Sequence, residues 1–177
     1  MIYFLHELQL IKGLVLMFHL VLHQPQIAPN TGNIIRLAAN NGCWLHLIEP
    51  FGFDLEEKKL RRAGLDYHHM ANVKTYSDYA SFQQKLPELS PLESQATLYA
   101  VTTKGARHYC QPNYKPGDIF VFGSETHGLP DSVMNSIEPE RRIKIPMVAE
   151  SRSLNLSNAV AIVSYEALRQ AEFGRTS

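Results

Sequence analysis

A mostly parallel α/β sheet with helices on both faces is the fold class this sequence predicts. Two observations lead to it. Short apolar runs such as Phe18-His19-Leu20-Val21-Leu22 and Ile119-Phe120-Val121-Phe122 alternate with stretches whose apolar residues recur at helical spacing, the pattern of strand–helix–strand units. Polar stretches follow the strands directly, at 102–104 and, marked by Gly, Pro, Ser and Asn, at 23–33, 123–130 and 146–155. In parallel sheets ligands bind at the carboxyl ends of strands, so these loops are expected to lie near one another.

The elements follow in order. Phe18 to Leu22 reads as a buried strand, and His23 to Pro29, with two prolines, is expected to be non-helical. Thr31 to Asn41 is a helix pattern stopped by Gly42, a favoured residue just past a helix end. Trp44 to Glu49 is a second strand, and Leu55 to Ala63 a charged helix closed by Gly64. Asn72 to Tyr76 is a short strand, Ser77 to Leu86 a helix capped by Ser77, and Pro87 to Gln95 a loop. Strands are expected at Thr97–Val101 and Asp118–Phe122, with a polar loop between them. Gly123 to Pro130 is a loop, Asp131 to Ile137 a short helix and Arg142 to Ile145 the last strand. The final helix starts at Ser153 or Asn155 and runs to about Phe173, with Leu156, Val160, Val163 and Ala167 as its apolar stripe.

A chain of 177 residues, 45% apolar and 19% charged, fits one ordinary globular domain. The 17 basic and 17 acidic residues cancel, which argues against indiscriminate binding to nucleic acid. The two cysteines, Cys43 and Cys110, form neither a disulfide framework nor a metal site. Both are expected to be buried free thiols in a reducing cytoplasm. Met1 to Leu16 is apolar but carries Glu7 and Lys12 and lacks a signal-peptide cleavage pattern. The uncharged run from Gly13 to Leu22 is too short to span a bilayer. Residues 1–16 are therefore expected to be an extension before a single domain at 17–177, with Met17 as the functional start and a membrane anchor as the alternative.

Three segments can carry chemistry. Pro29-Asn30-Thr31-Gly32-Asn33-Ile34-Ile35-Arg36 puts Asn33 and Arg36 on one face near a helix start, where an anion such as phosphate is favoured. A capped helix with a solvated arginine accounts for the same residues. Phe122-Gly123-Ser124-Glu125-Thr126-His127-Gly128-Leu129-Pro130 ends a buried strand in a polar loop with Glu125 as its one carboxylate. It matches neither GxGxxG nor a P-loop, and a surface turn explains it equally well. Ile145-Pro146-Met147 through Ser151-Arg152-Ser153-Leu154-Asn155-Leu156-Ser157-Asn158 holds more cap-forming residues than one helix needs. Basic residues gather at Lys58, Lys59, Arg61 and Arg62, at Lys104, Arg107 and His108, and at Arg141, Arg142 and Lys144. A solvated charged face is the simpler reading of such runs.

Together the three segments resemble the motifs of the SPOUT class of RNA methyltransferases. Within that class the chain is most similar to the small single-domain family that 2′-O-methylates the wobble nucleotide of tRNA, position 34, a cytidine or modified uridine. Lys59 to His68 and Ala100 to Gly105 also resemble that family, and the resemblance runs from about Met17 to Arg169. It implies a C-terminal deep trefoil knot, S-adenosylmethionine as cofactor, no metal, a tRNA partner rather than DNA or membrane, and a cytoplasmic homodimer whose site is completed across the interface. It implies Val101, Thr102, Gly123, Ile145, Met147, Ser153, Leu154 and Asn155 as cofactor-binding residues. Arg36, Asn30, Glu125, Ser153 and Asn155 take the catalytic roles. Arg36 is expected to bind a phosphate and stabilise a developing alkoxide, because a guanidinium stays protonated. Asn30 with Ser153 or Asn155 would orient the hydroxyl. Ser124 and His127 stand where close relatives usually have Pro and Arg, so a phosphate contact by His127 would be weaker and pH-dependent. The alternatives are 2′-O-methylation at another tRNA or rRNA position, or a non-catalytic RNA-binding module.

Overall fold

In a computed structural model, residues 18–54, 72–89 and 96–171 are described. The elements run β1 (His19–His23), α1 (Ala28–Asn41), β2 (Trp44–Ile48), β3 (Val73–Tyr76), α2 (Tyr79–Leu89), β4 (Leu98–Val101), β5 (Arg107–His108), β6 (Ile119–Phe122), α3 (Asp131–Asn135), a 3₁₀ turn (Pro139–Arg141), β7 (Arg142–Lys144) and α4 (Leu156–Gln170). The seven strands form one sheet in the order β3-β2-β1-β6-β4-β7-β5. Every pairing is parallel, as expected of an α/β architecture.

Residues alternate between the two faces of each strand. Leu20, Leu22, Leu45, Leu47, Phe120, Phe122 and Ile143 share one core with Ile34, Ile35 and Ala38 of α1 and Val160, Val163 and Ala167 of α4. Val21, Ile48, Ala100, Ile119 and Val121 form the other with Phe82 and Leu89 of α2 and Val133 of α3. Burial on both faces explains why β6 reads as an unbroken apolar run and why β1 holds Leu20-Val21-Leu22 between its two histidines. The second face also holds a buried polar chain: His19 Nδ1 lies 3.0 Å from His46 Nε2, and His46 Nδ1 lies 2.9 Å from the Tyr76 hydroxyl.

Several boundaries differ from expectation. The first helix starts at Ala28 rather than Thr31, with Pro29 in its opening turn. That turn needs no intrahelical N–H, so proline is tolerated there. The second helix starts at Tyr79, and Asp78 rather than Ser77 caps it, its Oδ1 accepting from Ser81 N at 2.7 Å. This helix continues through Pro87 to Leu89; the lost N–H costs one bond, and burial of Leu89 holds the last turn in place. The polar stretch after β4 contains β5, whose two residues pair with β7. Only Cys43 is a buried thiol; Cys110 is exposed, because it sits in the turn after β5. The expected helix at Leu55–Ala63, the segment Lys59 to His68, Phe173 and residues 1–17 lie outside the described residues.

The last strand is threaded. Ile143 pairs with Val101 on one side and Arg107 on the other, so the short link at 102–106 passes over β7. A Cβ at Gly105 would lie 2.4 Å from the carbonyl carbon of Ile143, so only glycine allows backbone to cross backbone this closely. Past this bridge the chain turns at 145–155 and returns as α4, which packs on α1.

Candidate functional site

Strand order places the site. β1 and β6 are neighbours, yet the chain leaves β1 towards β2 on one side and β4 lies beyond β6 on the other. Ligands in such sheets bind where the order reverses. The loops after β4, β6 and β7 meet beside that point, on the β6–β4–β7 side, around a cavity of about 430 Å³, a size suited to a small organic ligand. Its apolar walls include Val101, Phe122, Leu129, Ile145, Met147 and Leu154, and its polar groups include Thr102, Ser124, Glu125, Arg152 and Ser153. Gly123 allows the floor to close. A Cβ there would fall 2.0 Å from the carbonyl carbon of Gly128, and Ser124 and Gly128 exchange backbone hydrogen bonds across the loop.

The loop after β1 joins the cavity through hydrogen bonds. The Glu125 carboxylate accepts from Gln26 N at 2.8 Å, Ile27 N at 3.2 Å and Asn30 Nδ2 at 3.0 Å. Asn30, 6% exposed, accepts at Oδ1 from Asn155 Nδ2 at 2.9 Å. Asn155 caps α4, its Oδ1 accepting from Ser157 N at 2.9 Å and Asn158 N at 3.4 Å. Chemistry sets the direction of this chain at both ends. An ionised carboxylate only accepts, so Asn30 must turn its NH₂ towards Glu125. Backbone N–H groups only donate, so Asn155 must turn its oxygen into α4. One relay thus ties the start of α1, the loop after β6 and the start of α4. It also fills the position at the start of α1 where the sequence suggested an external anion: Glu125 sits there instead.

Of the expected cofactor residues, Val101, Thr102, Gly123, Ile145, Met147, Ser153 and Leu154 all line the cavity, as does Glu125. Asn30 and Asn155 stand beside it in the relay. Arg36 is exposed on α1 and is not part of the wall. Sequence reasoning missed Phe122, Leu129, Leu156 and Ala159 as wall residues, since strand and helix periodicity gives no sign of which core residue borders a cavity. It also missed the backbone donors Gln26 and Ile27. Among the described residues there is no cluster suited to a metal and no helix long and apolar enough to cross a membrane.

Comparison with known proteins agrees with this geometry. The SpoU rRNA Methylase family matches residues 17–165. A tRNA (cytidine(34)-2'-O)-methyltransferase of Photorhabdus asymbiotica is 53% identical over 154 residues, covering 87% of this chain and 94% of the relative. The Escherichia coli K12 protein of the same description is 50% identical with the same coverage. A structure solved for insight into 2-OH methylation of C/U34 on tRNA superposes with a TM-score of 0.78 at 40% identity, over 88% of this chain and 97% of the other. The SpoU methyltransferase AviRb of Streptomyces viridochromogenes, in complex with AdoMet, has a TM-score of 0.75 at 21% identity, over 89% and 58% of the two chains, a likeness of fold alone. The parallel sheet, the threaded last strand and the three converging loops are therefore those of a chain that belongs to the SpoU rRNA Methylase family.

Proposed function

We propose that this protein transfers a methyl group from S-adenosylmethionine to the ribose 2′-hydroxyl of the wobble nucleotide, position 34, of tRNA. The observation that carries this reading is the convergence of the loops after β4, β6 and β7 on one cavity of about 430 Å³ beside the Glu125–Asn30–Asn155 relay. Family membership and half-identical relatives that act on position 34 support the substrate. The residues fit the cofactor. Val101, Ile145, Met147 and Leu154 offer apolar surface for a flat adenine, and Ser153 and Thr102 offer polar groups for the ribose and amino-acid end. When bound, S-adenosylmethionine supplies the electrophilic methyl group.

The chain's own residues supply position and charge. Tight placement of two reactants accounts for much of the rate in such a transfer. Asn30 has both ends of its carboxamide engaged by Glu125 and Asn155. We therefore assign Asn30, Glu125 and Asn155 to holding the reacting geometry, with Ser153 facing the hydroxyl. Arg36 stays cationic, which suits it to hold a phosphate and stabilise charge developing on the ribose oxygen. It lies outside the cavity wall of its own protomer. We infer that it serves a site completed across a homodimer, and the exposed Ile27 and Tyr165 on the α1–α4 layer are apolar surface that a second copy would cover. We also infer that the bridge at 102–106 and the passage of the chain beneath it close a trefoil knot, and that the enzyme works in the cytoplasm, where its RNA is found.

Two measurements test the reading. Calorimetry with S-adenosylmethionine is expected to give one site per chain, and absence of binding would sink any methyltransferase assignment. Mapping of 2′-O-methyl groups in tRNA from a strain lacking the gene is expected to show loss at position 34, restored by this protein. Loss of a methyl group elsewhere instead moves the activity to another RNA position.

A further inference from the structure

We propose that Lys104, His108 and Lys144 form a phosphate-binding strip along the β5–β7 edge of the sheet, which holds the RNA backbone beside the cavity. The inference rests on the methyltransferase reading above and concerns how that site grips its RNA. Two basic segments that are far apart in sequence supply the residues, and strand pairing brings them together: Arg107 pairs with Ile143 and His108 with Lys144. The register also sets direction. Ile143 is fully buried in the core beneath α1 and α4, so Lys144 points to the opposite face of the sheet. His108, paired with Lys144, points the same way. Arg107 points the other way and donates from Nη2 to Gln111 O at 3.1 Å. Arg142 shares the face of Lys144, but its Nε is spent on Ile137 O at 2.9 Å, so it braces the strip.

Lys104 joins the strip through the bridge over β7. A Cβ on Gly105 would lie 2.7 Å from the nitrogen of Lys144, so the residue before Gly105 sits next to Lys144. Lys104 N donates to Thr102 Oγ1 at 3.3 Å, and His108 N donates to Gln111 Oε1 at 2.8 Å, which steadies both turns. Lys104 and His108 are exposed and Lys144 is half-buried. Among the described residues none of the three pairs with a carboxylate; the ion pairs are Lys85–Glu88 and Arg169–Glu166. Glu138 and Glu140 stand exposed in the turn before β7 and mark the acidic limit of the patch.

The strip begins at the cavity wall. Thr103 and Ile145 line the cavity, and they are the chain neighbours of Lys104 and Lys144. The cofactor carries no phosphate, so cations placed here serve the other substrate. The whole chain has a net charge of zero, which makes a run of cations beside the site a local arrangement. Phosphate contacts of this kind position a nucleic acid without reading its sequence.

The test compares two variants of equal net charge, Lys104→Ala/Lys144→Ala and Lys85→Ala/Lys115→Ala, for binding to tRNA by fluorescence anisotropy between 50 and 200 mM KCl. Removing one lysine–phosphate interaction lowers the slope of log K against log salt by about 0.7–0.9. The first variant is therefore expected to lower the slope by about 1.5 and to weaken binding about tenfold or more at the lowest salt, and the second to change neither. Lys104→Arg/Lys144→Arg is expected to restore binding. Calorimetry with S-adenosylmethionine should give one affinity for all variants, since neither lysine lines the cavity. An unchanged slope for the first variant, or an equal loss in the second, overturns the strip while leaving the methyltransferase reading intact. Failure of the unaltered chain to bind tRNA overturns both.

Discussion

At the residue scale, Asn155 has two separable tasks. Its side chain caps α4 and also holds Asn30. Asn155→Ala removes both and is expected to lower stability by about 1 kcal/mol, read as a fall in Tm. Asn155→Asp keeps the cap but sets a carboxylate against Asn30 Oδ1, two acceptors face to face. Methylation is expected to fall at least as far in this variant, with little loss of Tm; equal activity in the Asp variant and the unaltered chain would show that the relay does not hold the reacting geometry. The role of Arg36 is settled by pH. With Arg36→Lys, a base would shift the pH optimum of methylation by the difference in base strength. A cation that binds phosphate keeps the optimum and loses rate, because lysine lacks the planar fork of arginine; the second result is expected.

At the element scale, two glycines make opposite demands. Gly123 has no room: a Cβ would lie 2.0 Å and 2.2 Å from the backbone of Gly128 and Leu129. Backbone on both sides cannot yield, so Gly123→Ala is expected to open the loop after β6 and abolish cofactor binding by calorimetry. Gly42 has open space but a φ of 74° at the end of α1. Gly42→Ala meets no atom and is expected to cost only about 1 kcal/mol of backbone strain, with cofactor affinity unchanged. If the two substitutions behaved alike, close packing would not be what shapes the cavity floor. The relay links three elements in the same way, since Glu125 after β6 grips α1 while Asn155 starts α4. A helix start and a loop are thus fixed by a neighbouring segment, not by their own residues.

At the scale of the whole molecule, the buried His19–His46–Tyr76 chain makes stability depend on pH. Burial holds the His19 imidazole down to about 4 and that of His46 to about 3, with the positive charge of Lys74 acting in the same direction on both. Both rings are neutral in the folded protein, whereas in the unfolded chain they take up protons near pH 6.5. Their neutral pairing therefore supports the fold in full above pH 6.5. It is lost as pH falls towards 4, at about 1.4 kcal/mol per unit for each ring. Urea unfolding midpoints are expected to drop steeply between pH 6 and 4, and His46→Gln to flatten that drop; an identical pH profile in the variant would place the acid sensitivity elsewhere. The dimer inference belongs to this scale too. Arg36→Ala and Leu154→Arg, each inactive alone, are expected to recover about one quarter of full activity when mixed equally, if each site of a two-fold dimer draws on both chains.

Much of this protein follows from sequence alone. Apolar runs such as Ile119 to Phe122 are strands because burial on both faces leaves no polar position, and Gly42 ends a helix because only glycine takes its φ easily. The polar segments at 123–130 and 146–155 border the cavity because a sheet of parallel strands gathers its following loops at one edge. Local pattern placed the first helix start at Thr31 rather than Ala28 and the cap of the second helix at Ser77 rather than Asp78, where hydrogen bonds rather than composition decide. Tertiary structure alone decided that Glu125, and no outside anion, fills the start of α1, that β7 slides between β4 and β5 beneath the bridge at Gly105, and that two distant basic segments share one face. Each depends on contacts between residues far apart in the chain, and periodicity within a segment carries no record of which other segment it will meet.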